Sequence, residues 1–203
     1  MVHRTGTAEP ASGFSRREFM RGSGAVAAAT ALASQSQAIA QQAKGTKVVS
    51  GEQTISLNVN GKAVQVKAEP RTTLLEVLRY QLDLTGAKPV SHDASSGAAT
   101  ILVDGKPASA SVMLALAARG KKIETVESLA GDAVPKAFVT HDAEQCGFCT
   151  PGFVVAVRAF LNQKPKATEE EIRAGLNDNI CRCGTYANVI QAALAVVKGG
   201  ANG

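Results

Sequence analysis

The sequence predicts an α+β fold in which a sheet domain is followed by a bundle of four helices. Between about residues 53 and 127, short segments of alternating apolar and polar residues meet Asn-Gly and Asp-Gly turn signals. From residue 128 onward, the apolar residues recur with helical spacing. Hydrophobic residues make up 45% of the chain, which is ordinary for a protein that buries a core without covalent cross-links.

The first 40 residues have the composition of an export signal. A basic stretch at residues 15–21 precedes a short apolar run at residues 22–33 and a small-x-small cleavage site at residues 38–40. The pair Arg16 and Arg17 in its context resembles a twin-arginine signal, although a general secretory signal is an alternative. The apolar run is too short to span a bilayer. We therefore expect a periplasmic protein, exported already folded, whose mature chain has no membrane span.

Residues 41–52 are predicted to form a linker, and residues 53–127 a sheet domain. Alternation and turn residues give its elements in chain order: a hairpin at residues 54–68, a helix at 72–82, a second hairpin at 99–110, a helix at 111–120 and an edge strand at 121–127. The two hairpin turns are predicted at Asn60-Gly61 and Asp104-Gly105. A strand-rich unit of this kind buries its apolar face under a crossing helix.

Residues 128–203 are predicted to form the helical domain. Four apolar runs have helical period, at residues 133–144, 151–163, 168–178 and 187–199. Thr150 is the expected N-cap of the second helix, with Pro151 in its first position. Thr168 and Glu171 are spaced as a capping box for the third helix. The domain is therefore expected to be a small bundle.

The composition argues against a nucleic-acid partner. Aromatic residues make up only 4% of the chain, with no Trp, and the formal net charge is only +5. Proteins that bind single strands need aromatic stacking platforms, and duplex binders need a basic patch or stripe.

The four cysteines lie in two close-set pairs in the helical domain, Cys146-x2-Cys149 and Cys181-x-Cys183. Three chemistries could use them. Disulfides suit an exported protein, but a bridge across a single residue is strained. Structural zinc takes four thiolates, yet Cys149 leads into an apolar helix rather than a polar turn. A [2Fe–2S] cluster also takes four thiolates, two on each iron.

Close pairs favour the cluster. We expect Cys146 and Cys149 to hold one iron, and Cys181 and Cys183 to hold the other. Helices starting near Pro151 and after Gly184 would direct backbone N–H groups at the sulfurs.

The motifs QCGFCTPG and NICRCGTY resemble those of the iron–sulfur subunit of the molybdenum hydroxylases, the xanthine dehydrogenase and aldehyde oxidase family. The resemblance extends over roughly residues 54–197 and is greatest to the exported, separate-chain form. It implies a ferredoxin-like (β-grasp) sheet domain followed by a four-helix [2Fe–2S]-binding domain. It also implies that Gln145 and Cys183 contact a molybdopterin held by a large catalytic partner subunit.

The sheet domain departs from the family pattern. Family members carry a second, plant-type [2Fe–2S] cluster there, and its four cysteine positions fall here on residues without a thiol: Ser91, Ser96, Ala99 and Ser111. His92 and Asp93 in the same loop are expected to be solvated rather than metal ligands. We therefore predict one [2Fe–2S] cluster per chain and a sheet domain without one. His141, near the first cysteine pair, is expected to form a hydrogen bond at a helix end rather than to bind a metal.

The resemblance implies an electron-transfer subunit with no substrate site of its own. Electrons from the partner's molybdopterin, released as an aldehyde or an N-heterocycle is oxidised, would pass through the cluster to an external acceptor. That acceptor would be an FAD or a haem on a flavin or cytochrome c subunit. Two alternatives stay open from the residues alone: a stand-alone [2Fe–2S] carrier, and a structural zinc or disulfide module.

Overall fold

The computed structural model describes residues 48–200. The predicted export signal at residues 1–40, most of the linker and residues 201–203 lie outside the described residues. Within residues 48–200, no helix is both long enough and apolar enough to cross a membrane.

Five strands form one mixed sheet in the order β2-β1-β5-β3-β4. In chain order the strands are β1 (Gln53–Val59), β2 (Lys62–Ala68), β3 (Thr100–Val103), β4 (Lys106–Ser109) and β5 (Lys122–Glu124). Only the β1–β5 pair is parallel, and the other three pairs are antiparallel. Both predicted hairpin turns are confirmed. Their Asn60-Gly61 and Asp104-Gly105 pairs have positive φ at both positions, as a two-residue type I′ hairpin turn requires.

The expected edge position of the last strand is wrong. β5 lies in the middle of the sheet, between β1 and β3, and joins the two hairpins. Ile123 at its centre is fully buried. Asn60 in the first turn reinforces the junction, because its backbone N–H donates to the carbonyl of Ile123 at 2.8 Å and its side chain bonds Thr125.

The predicted helix over residues 72–82 is confirmed as α1 (Leu74–Tyr80), with Thr73 and Glu76 in a capping box. Its buried side chains join the inner face of the sheet in one core. The helix predicted at residues 111–120 is reduced to a 3₁₀ turn, Ala115–Ala118. Backbone groups of this segment bond the start of α1 instead of their own helical partners: Leu74 N–H donates to Met113 O, and Ala115 N–H to Thr72 O.

The four helices predicted after residue 128 are confirmed. They are α2 (Ala133–Thr140), α3 (Thr150–Gln163), α4 (Glu169–Gly175) and α5 (Tyr186–Gly200). Thr168 and Glu171 form the predicted capping box of α4. A second hydrophobic core fills the space between the helices, with Phe153, Ile172 and Val189 at most 1% exposed.

α3 connects this core to the sheet. Val155 and Ala159 on α3 form a buried cluster with Leu102 of β3. Because α3 begins at the first cysteine pair, this contact ties the position of that pair to the sheet.

Candidate metal centre

Each cysteine pair lies in a loop that leads into a helix. Cys146 and Cys149 lie between α2 and α3, and Cys181 and Cys183 lie between α4 and α5. Gly147 has φ +77°, a value that favours glycine, and turns the first loop between its two cysteines. Cys149 is the residue that caps α3. The predicted capping role of Thr150 is wrong, because Thr150 is already the first helical residue.

The sulfurs meet across the two loops. Cys149 lies close enough to Cys181 for the two side chains to influence each other's pKa, and Cys183 lies similarly close to Cys146. All four cysteines are free of disulfide bonds. These neighbours come from different loops, whereas the sequence-based prediction places the two cysteines of each loop on one iron. The arrangement has an inner pair, Cys149 and Cys181, and an outer pair, Cys146 and Cys183, whose side chains are exposed.

The second loop stabilises negative charge on the sulfur of Cys181, which is only 6% exposed. Burial is the largest single influence on its pKa and raises it. Hydrogen bonds from the hydroxyl and N–H of Thr185, the thiol of Cys149 and the N–H of Gly184 outweigh burial together and lower the pKa to about 7. The Thr185 hydroxyl lies 3.2 Å from the Cys181 sulfur. Such donors favour the thiolate, which is the form that binds metals.

The other member of the inner pair responds in the opposite sense. Burial, donation of its proton to Cys181 and repulsion from the neighbouring sulfurs raise the pKa of Cys149 to about 12. The repulsion comes from the side chains of Cys181 and Cys146. A bound cation would offset this repulsion and favour loss of the thiol protons.

Two observations test whether the site fits an iron–sulfur cluster. The hydroxyl of Thr150, directly after Cys149, is buried and has no hydrogen-bond partner within the described chain. A bound cluster would place sulfur acceptors close to this hydroxyl. Without an acceptor, a buried hydroxyl costs free energy. Among residues 48–200, no three Cys, His, Asp or Glu side chains gather closely enough to hold a single metal ion. Two cysteine pairs match the ligand set of a [2Fe–2S] cluster, which takes two thiolates on each iron.

Aromatic packing fixes the two loops relative to each other. Phe153 in the first turns of α3 and Tyr186 at the start of α5 make an edge-to-face contact with ring centroids 6.0 Å apart. The Tyr186 hydroxyl also accepts a hydrogen bond from the N–H of Cys181 at 2.8 Å. Sequence analysis missed Thr185 and Tyr186, although a hydroxyl within a few residues of a cysteine is a recognisable signal for a sulfur hydrogen bond.

Gln145 and His141 lie on the approach to the first cysteine pair. Gln145 is exposed beside the exposed Cys146. His141 is half-buried and ends α2, where its backbone N–H donates to the carbonyl of Ala137 at 2.9 Å.

The four sheet-domain positions without cysteine are engaged in other contacts. The hydroxyls of Ser91 and Ser96 bond each other at 2.7 Å, and the hydroxyl of Ser111 bonds that of Ser109 at 2.8 Å. Ala99 is buried in the sheet core. In the same loop His92 is exposed, and the carboxylate of Asp93 accepts hydrogen bonds from the hydroxyl and N–H of Ser95, which lower its pKa.

Comparison with known proteins places these features in a family. The [2Fe-2S] binding domain family matches residues 125–194, which include both cysteine loops. The twin-arginine translocation pathway signal sequence matches residues 13–33, so the chain carries a signal for export across the cytoplasmic membrane.

Relatives of known name align over most of the chain. The aldehyde oxidoreductase iron-sulfur-binding subunit PaoA of Escherichia coli (strain K12) is 34% identical over 210 residues, covering 94% of this chain and 91% of that protein. The nicotinate dehydrogenase small FeS subunit of Eubacterium barkeri is 37% identical over 153 residues, covering 73% of this chain and 98% of that protein.

Solved structures of two oxidoreductases are also similar to this chain. A chain of quinoline 2-oxidoreductase from Pseudomonas putida 86 matches with a TM-score of 0.71 and 38% identity, over 76% of this chain and 99% of that one. The aldehyde oxidoreductase from Desulfovibrio desulfuricans ATCC 27774 matches with a TM-score of 0.69 and 33% identity; 74% of this chain aligns with 17% of that longer chain. This protein belongs to the molybdenum hydroxylase family, as the iron–sulfur subunit of an oxidoreductase complex.

Proposed function

We propose that Cys146, Cys149, Cys181 and Cys183 bind one [2Fe–2S] cluster and that this chain uses it to carry electrons away from a molybdopterin on a large partner subunit. The observation that carries the proposal is the meeting of four free cysteines from two loops as two sulfur pairs. When bound, the cluster accepts and passes on one electron at a time.

The burial of the four cysteines supports the assignment of a different iron to each pair. The inner pair, Cys149 and Cys181, would hold the iron that is shielded by the protein. The outer pair, Cys146 and Cys183, would hold the iron nearer the surface. The hydroxyl of Thr185 and the N–H groups beside it stabilise the negative charge that a thiolate carries. Hydrogen bonds to cluster sulfurs make the reduced, more negative state more accessible.

The surface around the outer pair supports a partner on that side. Three large side chains flank the cysteines and remain exposed: Phe148 at 53%, Ile180 at 54% and Tyr186 at 40%. Apolar and aromatic side chains of this kind anchor protein interfaces, and their burial would exclude water from the cluster. We place the pterin of the large subunit here, contacted by Gln145 and Cys183.

The downstream acceptor would be an FAD or a haem on a further subunit. With no thiol in the sheet domain, the electron would leave this chain from its single cluster. The relatives include subunits of an aldehyde oxidoreductase and of a nicotinate dehydrogenase, so the substrate class of the complex would be an aldehyde or an N-heterocycle.

Substitution of the ligands tests the cluster. Cys149→Ser and Cys183→Ser should each remove most of the visible absorption of the [2Fe–2S] form and the EPR signal after reduction, because four thiolates are needed. His141→Ala is the matched control, since it removes another candidate metal ligand near the same loop and should leave both signals unchanged. Loss of the signals in the His141 variant, with retention in both cysteine variants, would contradict the assignment.

Purification of the tagged complex separates the proposal from a stand-alone carrier. The wild-type chain should co-purify with a large subunit that contains molybdenum and pterin. A cluster-loaded chain that elutes alone, with no molybdenum in any fraction that contains it, would favour the carrier instead.

We also propose that the folded protein functions in the periplasm. The twin-arginine signal supports this placement, since that pathway carries proteins that have folded before export. Replacing Arg16 and Arg17 with lysine should leave the cluster-loaded protein in the cytoplasmic fraction. Continued recovery of the double variant in the periplasmic fraction would count against this route.

A further inference from the structure

The loop formed by residues 91–97 lies against the second cysteine loop. The carbonyl of Ser96 accepts the N–H of Ile180 at 3.0 Å, and the carbonyl of Gly97 accepts the side-chain amide of Asn179 at 3.0 Å. Asn179 and Ile180 are the two residues immediately before Cys181. Asn179 is only 6% exposed, so bulk water competes little with Gly97 for its amide.

The same loop also contacts the helix that follows Cys149. A Cβ atom on Gly152, in the first turn of α3, would collide with the carbonyl oxygen of Gly97. Gly97 itself has φ +66°, and a Cβ there would lie 2.5 Å from both the Asn179 side chain and the backbone carbonyl of Asp178. Both glycines therefore permit close contact between the backbone of the 91–97 loop and two segments, the residues before Cys181 and the first turn of α3 after Cys149.

Two serines fix the shape of the 91–97 loop. Besides the bond between their hydroxyls, the Ser91 hydroxyl accepts the N–H of Ser96 at 3.0 Å, and the Ser96 hydroxyl accepts the N–H of Ala98 at 3.3 Å. These bonds orient the carbonyls of Ser96 and Gly97 toward the residues before Cys181. The serines occupy two positions where the family resemblance would place thiolate ligands.

We propose that the 91–97 loop is a positioning element for the cluster in the helical domain, with Ser91, Ser96 and Asn179 as its positioning residues. The loop contacts the backbone before Cys181 and after Cys149, so it sets the separation of the inner sulfur pair. Metal–ligand distances must hold within about 0.2 Å, and supporting contacts beyond the ligands secure such precision. This inference rests on the proposed cluster and gives the sheet domain a role in tuning it.

The test uses the purified full complex and four variants of this chain. Ser91→Ala combined with Ser96→Ala removes the loop's internal bonds, and Asn179→Ala removes the amide bond to Gly97. Ser96→Thr keeps a hydroxyl and should restore wild-type behaviour. Ser109→Ala is the matched control, because it breaks a similar hydrogen bond between two serine hydroxyls of the sheet domain, neither of which bonds a cysteine loop.

Three readouts apply to every variant: the EPR line shape of the reduced protein, the midpoint potential from an EPR-monitored redox titration, and the rate of iron release to a chelator. The double serine variant and Asn179→Ala should broaden the EPR line and shift the potential. Asn179→Ala, which loses one buried hydrogen bond, should release iron about threefold to tenfold faster, and the double serine variant, which loses three part-buried bonds, at least as fast. Ser109→Ala and Ser96→Thr should match wild type in all three.

The outcomes distinguish this inference from the proposed function. A wild-type complex without a [2Fe–2S] signal would overturn both. A normal wild-type signal, with line shape, potential and release rate unchanged in the serine and asparagine variants, would overturn the positioning role alone. If the double serine variant fails to fold, Asn179→Ala decides, because it leaves the loop's internal bonds intact. A shift in Ser109→Ala equal to that of the other variants would also overturn the inference.

Discussion

The sulfur of Cys181 and the hydroxyl of Thr185 form the most specific contact of the site at the scale of single residues. The hydroxyl donates across 3.2 Å in a buried setting, where a hydrogen bond is electrostatically stronger than in water. A reduced cluster carries one more negative charge than an oxidised one, so a donor to its sulfur stabilises the reduced state more. Thr185 should therefore raise the reduction potential.

Replacing Thr185 with Val, which keeps the shape and removes the donor, should lower the midpoint potential. A differential of about 1 kcal/mol corresponds to a shift of about 40 mV for one electron. Thr185→Ser keeps the hydroxyl and serves as the control, with a potential close to wild type. An EPR-monitored redox titration measures both. Equal potentials in the Val variant and in wild type would remove Thr185 from the tuning of the cluster.

Single residues also show what the sequence could and could not predict. The four cysteines and the two loops that carry them could be predicted from spacing, because Cys-x2-Cys and Cys-x-Cys are local patterns. The proximity of Cys149 to Cys181 could not, since it arises only through the packing of α3 against α5. Asn179 was missed for the same reason: its partner Gly97 is 82 positions away in the chain, and no local pattern encodes that contact.

At the scale of elements, the N-terminal half of α3 is the structural junction of the molecule. It follows the N-cap Cys149, packs on the 91–97 loop through Gly152 and packs on Leu102 of β3 through Val155. Glycine inside a helix normally costs about 1 kcal/mol relative to alanine. At this position the close backbone contact explains why a glycine is present.

Gly152→Ala should destabilise the protein despite the gain in helix propensity. The new methyl group would meet backbone, which cannot rotate away, and overpacking of this kind costs about 1 to 3 kcal/mol. A thermal melt followed by circular dichroism measures the change. Gly199→Ala in α5 is the matched control, because its Cβ would meet no atom within 4 Å, and its melting temperature should stay the same or rise slightly. A Gly152 variant as stable as wild type would contradict the close contact.

Elements differ in how far local sequence determines them. The capping box of α4 and both hairpin turns were predicted correctly, because their hydrogen bonds join residues within three positions of one another. The helix expected at residues 111–120 was wrong because backbone groups of that segment bond the start of α1. The central position of β5 was also missed, since strand order depends on pairing between distant segments.

At the scale of the whole molecule, the sheet domain has no cysteine at the four positions where the family resemblance would place the ligands of a second cluster. Its core is continuous, and at three of these four positions serine hydroxyls form hydrogen bonds with other serines. The sheet and the bundle meet through α3 and through the 91–97 loop. The sheet domain thus contacts the two residues immediately before Cys181 through its 91–97 loop.

The number of clusters per chain tests the central claim most directly. Iron, acid-labile sulfide and EPR spin should be quantified together on the anaerobically purified, dithionite-reduced chain within its complex. We predict about two iron and two sulfide per copy of this chain, with a single [2Fe–2S] EPR signal that it contributes. Absence of iron and sulfide, or two distinct cluster signals from this chain, would contradict the account.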